Sequence, residues 1–356
     1  MKKKVLFVLV CAGVICITSF SVIHAKEAGP IKLKYSNYFP ATHRYAILGA
    51  QFCEEIKKRT NGRVEITYYP SGILTTATKV LDGVVNAVSD IGLSHIEYTR
   101  GRFSVTETLN LPLGYSSGYV GTQVANDFYD KFKPKEWEPV HVLYLYSGGP
   151  GIIGTVKQPV RTLEDLKGLK IRSAGRPADT VKALGATPVP VEMADLYEGL
   201  QRGVVDGLMN SAEALKGWKF GDLVRYATAC WQVGSVYTFY VVMNKTKWNN
   251  LPDDIKKTFN EVAAEWKIKQ GTAVNEIDIE GMEYLKKSGG QVIQLTDQEA
   301  KRWEKAVEPT IEKLFKELEA KGFKRSETEA HLKFIRERIA YWTQKEAEQN
   351  IIRPYR

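Results

Sequence analysis

Residues 162–210 read TLEDLKGLKIRSAGRPADTVKALGATPVPVEMADLYEGLQRGVVDGLMN, and this stretch alternates short strands with short helices. Thr162 and Asp165 stand in capping-box spacing for a one-turn helix that Gly168 stops. Leu169 to Ile171 forms a brief strand that delivers Arg172 to its carboxyl end. Pro177 suits the first turn of a helix that continues through Leu184 and ends at Gly185. The prolines between Pro188 and Val191 keep that run extended, because each one biases the residue before it away from helix. Met193 to Gln201 is helical, Gly203 breaks it, and Val204 to Met209 leads into Asn210. Such alternation predicts a parallel α/β sheet, whose ligands sit beyond the carboxyl ends of the strands. Arg172 and Asn210 both fall there.

Outward from this block the same plan recurs. Ile31, Leu33 and Tyr35 alternate with lysines as in a half-buried strand. A turn from Asn37 to His43 follows, then a helix from Arg44 to Lys58, a strand from Val64 to Tyr69, a helix from Thr76 to Val88 and a strand from Asp90 to Leu93. Two α/β lobes of like design are therefore expected. Leu109 to Leu113 bridges to a helix over Gly121 to Lys131, and a strand over Val140 to Tyr146 runs into Gly148-Gly149-Pro150-Gly151. Gly149 to Gly154 satisfies a GxGxxG spacing, but strand-like residues from Thr155 to Val160 follow it. A phosphate-binding loop must instead open a helix, so a tight crossover between lobes is the better reading. Ser211 to Phe220 reads as helix, and Val236 to Met243 as a strand returning to the first lobe. A long helix runs from Leu251 to Lys287, with Ile255, Phe259, Val262 and Trp266 as its apolar stripe. Gln291 to Leu295 is a short strand, Thr296 and Glu299 cap a charged helix, and a last helix covers Glu327 to Gln349.

The 356 residues allow two domains. Met1 to Ala25 reads as a secretory signal: Lys2, Lys3 and Lys4, an apolar run from Val5 to Ile17 that is too short to span a bilayer, then Ile23-His24-Ala25. A lipoprotein reading of Cys11 or Cys16 is weaker, because Val10 and Ile15 replace the small residue expected before a lipidated cysteine. Removal of the signal lowers the formal charge from +9 to +6 through its three lysines. The remaining excess is dispersed among acids, so no basic stripe argues for nucleic acid. Cys53 and Cys230 remain, and buried free thiols are expected of them although a disulfide is permitted outside the cytoplasm. His43, His95, His141 and His331 have no metal-ligand spacing, no GxSxG elbow is present, and no carboxylate pair stands out. No enzyme, metal or cofactor is implied.

The run DLKGLKIR, then ALGATPVPV, then DLYEGLQRGVVDG and Asn210 closely resembles the extracytoplasmic solute receptors of TRAP transporters, the DctP family. The likeness is dense in this block and extends more thinly from Ile31 to about residue 300. It implies a periplasmic solute-binding-protein fold, with two α/β lobes around a ligand cleft and a long helix spanning both. The lobes expected are residues 26–148 with 236–277, and 149–235 with 278–356 including the C-terminal helices. It further implies a monomeric periplasmic receptor that captures a small organic anion and hands it to ion-gradient-driven TRAP permease subunits.

Arg172 resembles the family's carboxylate clamp, since a guanidinium holds a carboxylate by two parallel charge-assisted hydrogen bonds. On residue type alone, a structural salt bridge is the competing reading. Asn210 matches the asparagine that contacts the same carboxylate, and Met193 a position often held by a pocket-walling phenylalanine. By the same resemblance His95, Tyr38 and His43 face the cleft, though a lone histidine is as often simply hydrogen-bonded in place. Trp231 and Tyr237, in a cluster with Trp218 and Phe239, are candidates to wall an apolar or aromatic ligand, with core packing as the alternative. Many dicarboxylate and sialic-acid receptors of this family carry a second arginine just before the crossover, where this chain has Gly151. That departure favours a monocarboxylate or sulfonate over a C4-dicarboxylate, with glycines leaving room for a bulkier ligand or a backbone amide. A ligand-sensing partner of a membrane signalling protein is the alternative role.

Overall fold

The computed structural model describes residues 29–355, and the expected signal segment lies outside the described residues. Two sheets organise the chain. The first is built from β1 (Ile31–Asn37), α1 (Arg44–Arg59), β2 (Val64–Tyr69), α2 (Val80–Val85) and β3 (Ile91–His95), followed by α3 (Gly118–Phe132) and β4 (Val140–Ser147). The chain then crosses to β5 (Ile152–Thr155), β6 (Lys170–Arg172), α4 (Pro177–Ala183), β7 (Thr187–Val189), α5 (Met193–Gln201), β8 (Gly207–Asn210), α6 (Glu213–Gly217) and β9 (Tyr226–Ala229). It returns through β10 (Thr238–Asn244) and ends with α7 (Lys245–Asn249), α8 (Asp253–Lys287), β11 (Gln291–Gln294), α9 (Asp297–Val307), α10 (Pro309–Ala320) and α11 (Arg325–Glu348).

The strand orders are β2-β1-β3-β10-β4 and β11-β9-β5-β8-β6-β7. β1 runs parallel to both β2 and β3, and β6 runs parallel to both β7 and β8, so each lobe holds the same three-strand parallel unit. Each unit is extended by an antiparallel strand that arrives from the other lobe: β10 beside β3, and β5 beside β8. The two lobes of like design read from the sequence are present.

Alternation drives the strands inward. Leu33 and Tyr35 of β1 are buried with Phe52 and Ile56 of α1, and Phe259, Val262 and Trp266 of α8 close the same core. Complete burial of each such side chain contributes about 1.5–3 kcal/mol. Further along α8, Met282 and Leu285 pack with Ile152, Leu196 and Leu208 of the second lobe, so this single helix serves both cores. Among the described residues no helix is long and apolar enough to cross a membrane.

Four expectations need correction. The strand expected over Thr155 to Val160 begins earlier, as β5, and stops at Thr155, whose hydroxyl turns the chain by donating to Gln158 O at 2.5 Å. β9, unforeseen in the sequence, supplies the next strand of that sheet. The charged helix after Thr296 is two helices, because Pro309 has no amide hydrogen to continue α9 and instead opens α10. The assignment of every residue after 278 to the second lobe does not describe α11, whose Ile335 and Ile339 join Val120, Val124 and Phe128 of α3 in the first.

Candidate ligand-binding site

Of the four parallel strands that end at the cleft, three end on candidate residues and the fourth just before one. β1 ends at Asn37, whose Oδ1 accepts the amide of Phe39 at 3.0 Å, and this turn projects Tyr38 and Phe39 toward the other lobe. β3 ends on His95, β6 on Arg172 and β8 on Asn210. Met193 opens α5 just after β7, and Tyr237 sits where the chain crosses back. Tyr38, Phe39, His95, Arg172, Met193, Asn210, Glu213, Tyr237 and Phe239 enclose a space of about 10 Å³, room for about one water. Beyond Tyr38 and Met193 lies a second space of about 110 Å³, lined also by Tyr98, Glu192 and Trp218. The lobes are closed on each other.

Arg172 dominates the electrostatics. Its side chain is 1% exposed. Nε donates to Val191 O at 2.8 Å, while Nη2 is buried without a partner. Among the described residues no carboxylate lies within ion-pair distance of it, and the structural salt bridge is therefore absent. A buried guanidinium left so poorly paired is costly by several kcal/mol, and the cavity is where that cost can be relieved. His95 faces the same space with Nδ1 unpartnered. Burial holds its pKa well below the ordinary value, and the neighbouring Arg172 charge pushes the same way. Asn210 has only a weak contact, Nδ2 to Met193 Sδ at 3.5 Å. Aromatic rings make up the walls: Tyr98 lies 3.9 Å from the His95 ring, and Trp218 stacks on Tyr38 at 6.4 Å.

Residues 36–318 match the family model for DctP, bacterial extracellular solute-binding protein family 7. The chain belongs to this family. A TRAP periplasmic solute-binding protein from Desulfovibrio salexigens, solved as an open complex with a symmetry mate's C-terminus in its ligand site, is 33% identical. The match covers 86% of this chain and 96% of that one, with a TM-score of 0.76. A TRAP periplasmic solute-binding protein from Bordetella bronchiseptica, solved with (R)- and (S)-mandelate, is 27% identical over 88% of this chain and all of that one, at TM-score 0.80. The C4-dicarboxylate-binding periplasmic protein DctP of Vibrio cholerae is 24% identical over 326 residues, 88% of this chain and 95% of that protein.

In this family 7 chain, two candidates lie elsewhere. His43 stands one layer behind the cavity: it caps α1, Nδ1 accepting the Tyr45 amide at 3.2 Å, and Nε2 reaches Glu213 Oε2 at 2.7 Å. Trp231 lines a separate groove with Pro112, Leu113, Glu304 and Arg336. Cys230 turns into the core, and its successor in the chain faces away. The room expected beside Gly151 is also filled, since a Cβ there would lie 3.2 Å from Met209 Cγ and 3.4 Å from Ser235 O. Sequence reasoning overlooked Phe39, Tyr98 and Glu213. An acid in the first turn of a helix is ordinary, so nothing in the sequence singled out Glu213.

Proposed function

We propose that this chain is the periplasmic receptor of a TRAP-type uptake system, and that it holds a small organic monoanion by its carboxylate between Arg172 and Asn210. The observation that carries this reading is the buried Arg172 guanidinium with Nη2 free. A carboxylate would supply the missing counter-charge and the missing acceptors in one group. A single head group is favoured because Arg176, the other buried arginine among the described residues, already pairs through both terminal nitrogens with Glu107, Asp179 and Glu317. The aromatic walls suit an apolar or aromatic body, and His95, Met193, Tyr38 and Tyr237 shape it. The lobes open by hinge motion to admit the ligand, and the closed monomer presents a surface of both lobes to the permease subunits.

A thermal-shift screen of the chain lacking residues 1–25 tests this, with monocarboxylates, dicarboxylates and sulfonates as probes. A true ligand at about a hundred times its Kd stabilises by about 2.7 kcal/mol. A monoanion should raise Tm in the wild type and not in Arg172→Ala. A shift of equal size in that variant would remove Arg172 from the site.

A further inference from the structure

The cavity carries a second buried charged group besides Arg172. Glu213 is 2% exposed and lines the same space, yet the two form no ion pair. Its position is held from behind. The His43 ring is oriented by Tyr45, whose amide donates to Nδ1, so Nε2 carries the proton and donates to Glu213 Oε2. The Glu213 backbone amide is held by Asp278 Oδ1 at 2.8 Å. Oε1 has only the Ser211 hydroxyl, at 3.5 Å. One carboxylate oxygen is thus well bound, and the other retains acceptor capacity.

Resting on the receptor reading above, we propose that the ligand is an α-substituted carboxylic acid whose hydroxyl or ammonium donates to Glu213 while Arg172 holds its carboxylate. The spacing follows from the sheet. Arg172 stands opposite Leu208 in the β6–β8 pair, so Asn210 ends the adjacent strand, about 5 Å away, and Glu213 follows it at the start of α6. Both side chains line one space of about 10 Å³, so a donor on the carbon next to the carboxylate stays within reach of Glu213. A plain acid would leave Glu213 facing an apolar group in a dry pocket, and a site built around a polar partner rejects analogues that lack it.

Binding titrations of two matched series on the chain lacking residues 1–25 test this: propionate, lactate and alanine, and 3-phenylpropionate, phenyllactate and phenylalanine. In at least one series the substituted acid should bind about 10- to 100-fold more tightly than its parent, the worth of one hydrogen bond to a charged group. Lactate or phenyllactate as the tighter member identifies a hydroxyl donor, and the amino acid an ammonium. Glu213→Gln should shrink that ratio, whereas Arg172→Ala should abolish binding of every member. Equal binding of parent and substituted acids overturns the role of Glu213 while leaving the receptor reading intact. No binding by any member overturns the proposed ligand class. If Glu213→Gln does not fold, the wild-type ratio alone decides.

Discussion

Arg176, at the start of α4 in the second lobe, donates from Nη2 to Glu107 Oε2 of the first lobe at 2.6 Å, and both side chains are buried. The Arg176 amide also donates to Glu97, which follows β3, and the guanidinium further pairs with Asp179 and Glu317. This cluster lies beside the ligand cavity and ties the lobes directly. Removing one member strands a buried charge, so Arg176→Ala should destabilise the protein by about 3–5 kcal/mol. Urea denaturation checks this. Arg176→Met combined with Glu107→Gln should recover part of the loss, and strict additivity of the two substitutions would show that they are not coupled.

Glu97 makes the same junction sensitive to pH. Burial first, and the Glu107 charge second, raise its carboxyl from 4.5 to about 7. A raised folded-state value means that this contribution is complete below pH 4.5 and is lost as pH rises through 7. The Tm of the wild type relative to Glu97→Gln should therefore fall between pH 5 and pH 8, by an amount equivalent to on the order of 1–3 kcal/mol. A difference that stays flat across this range would assign Glu97 no such role. Gly175 permits the contact: at φ +59° it has no Cβ, where one would stand 2.6 Å from Glu97 Cβ.

At the crossover, Gly149 packs directly on α8. A Cβ there would overlap Asp278 Oδ2, 1.7 Å away, and Asp278 is itself fully buried. Gly149→Ala should cost about 1–3 kcal/mol through overpacking. In a double-mutant cycle Asp278→Ala should relieve part of that cost. Chemical denaturation of the four proteins supplies the cycle.

Cys53 lies in the first-lobe core and Cys230 in the second, and both are free and buried. Burial pushes the Cys230 thiol up to about 12 and raises that of Cys53 as well. With residues 1–25 removed, a thiol-reactive disulfide reagent should label neither cysteine in the native protein and both after denaturation. Rapid native labelling of either one would contradict its burial.

The parallel units were legible because their punctuation is local. Pro177 opens α4 where expected, Met193–Gln201 is α5 with the boundaries read from sequence, and Arg172 and Asn210 end their strands. Thr296 caps α9 by accepting the Glu299 amide as its spacing suggested. What escaped reading depends on distant partners. β9 has only four residues and owes its conformation to β5 and β11 on either side. Glu213 matters through His43, 170 positions earlier in the chain. Trp231 and Tyr237 looked alike in sequence, and only the fold separates the groove of one from the cavity of the other.

The insertion of β10 between β3 and β4 also governs when the molecule can form. β1 to β4 are complete once Ser147 has been synthesised, yet β3 and β4 are not neighbours: β3 has only β1 on one side, and β4 has no partner, until Asn244 follows. The core beneath them waits longer still, for Phe259, Val262 and Trp266 of α8. A nascent chain of this topology cannot lock its first half early, because long-range pairing must close a large loop before it is rewarded. Synthesis order therefore matters less here than completeness: the first lobe stays open to solvent until about three quarters of the chain has been made.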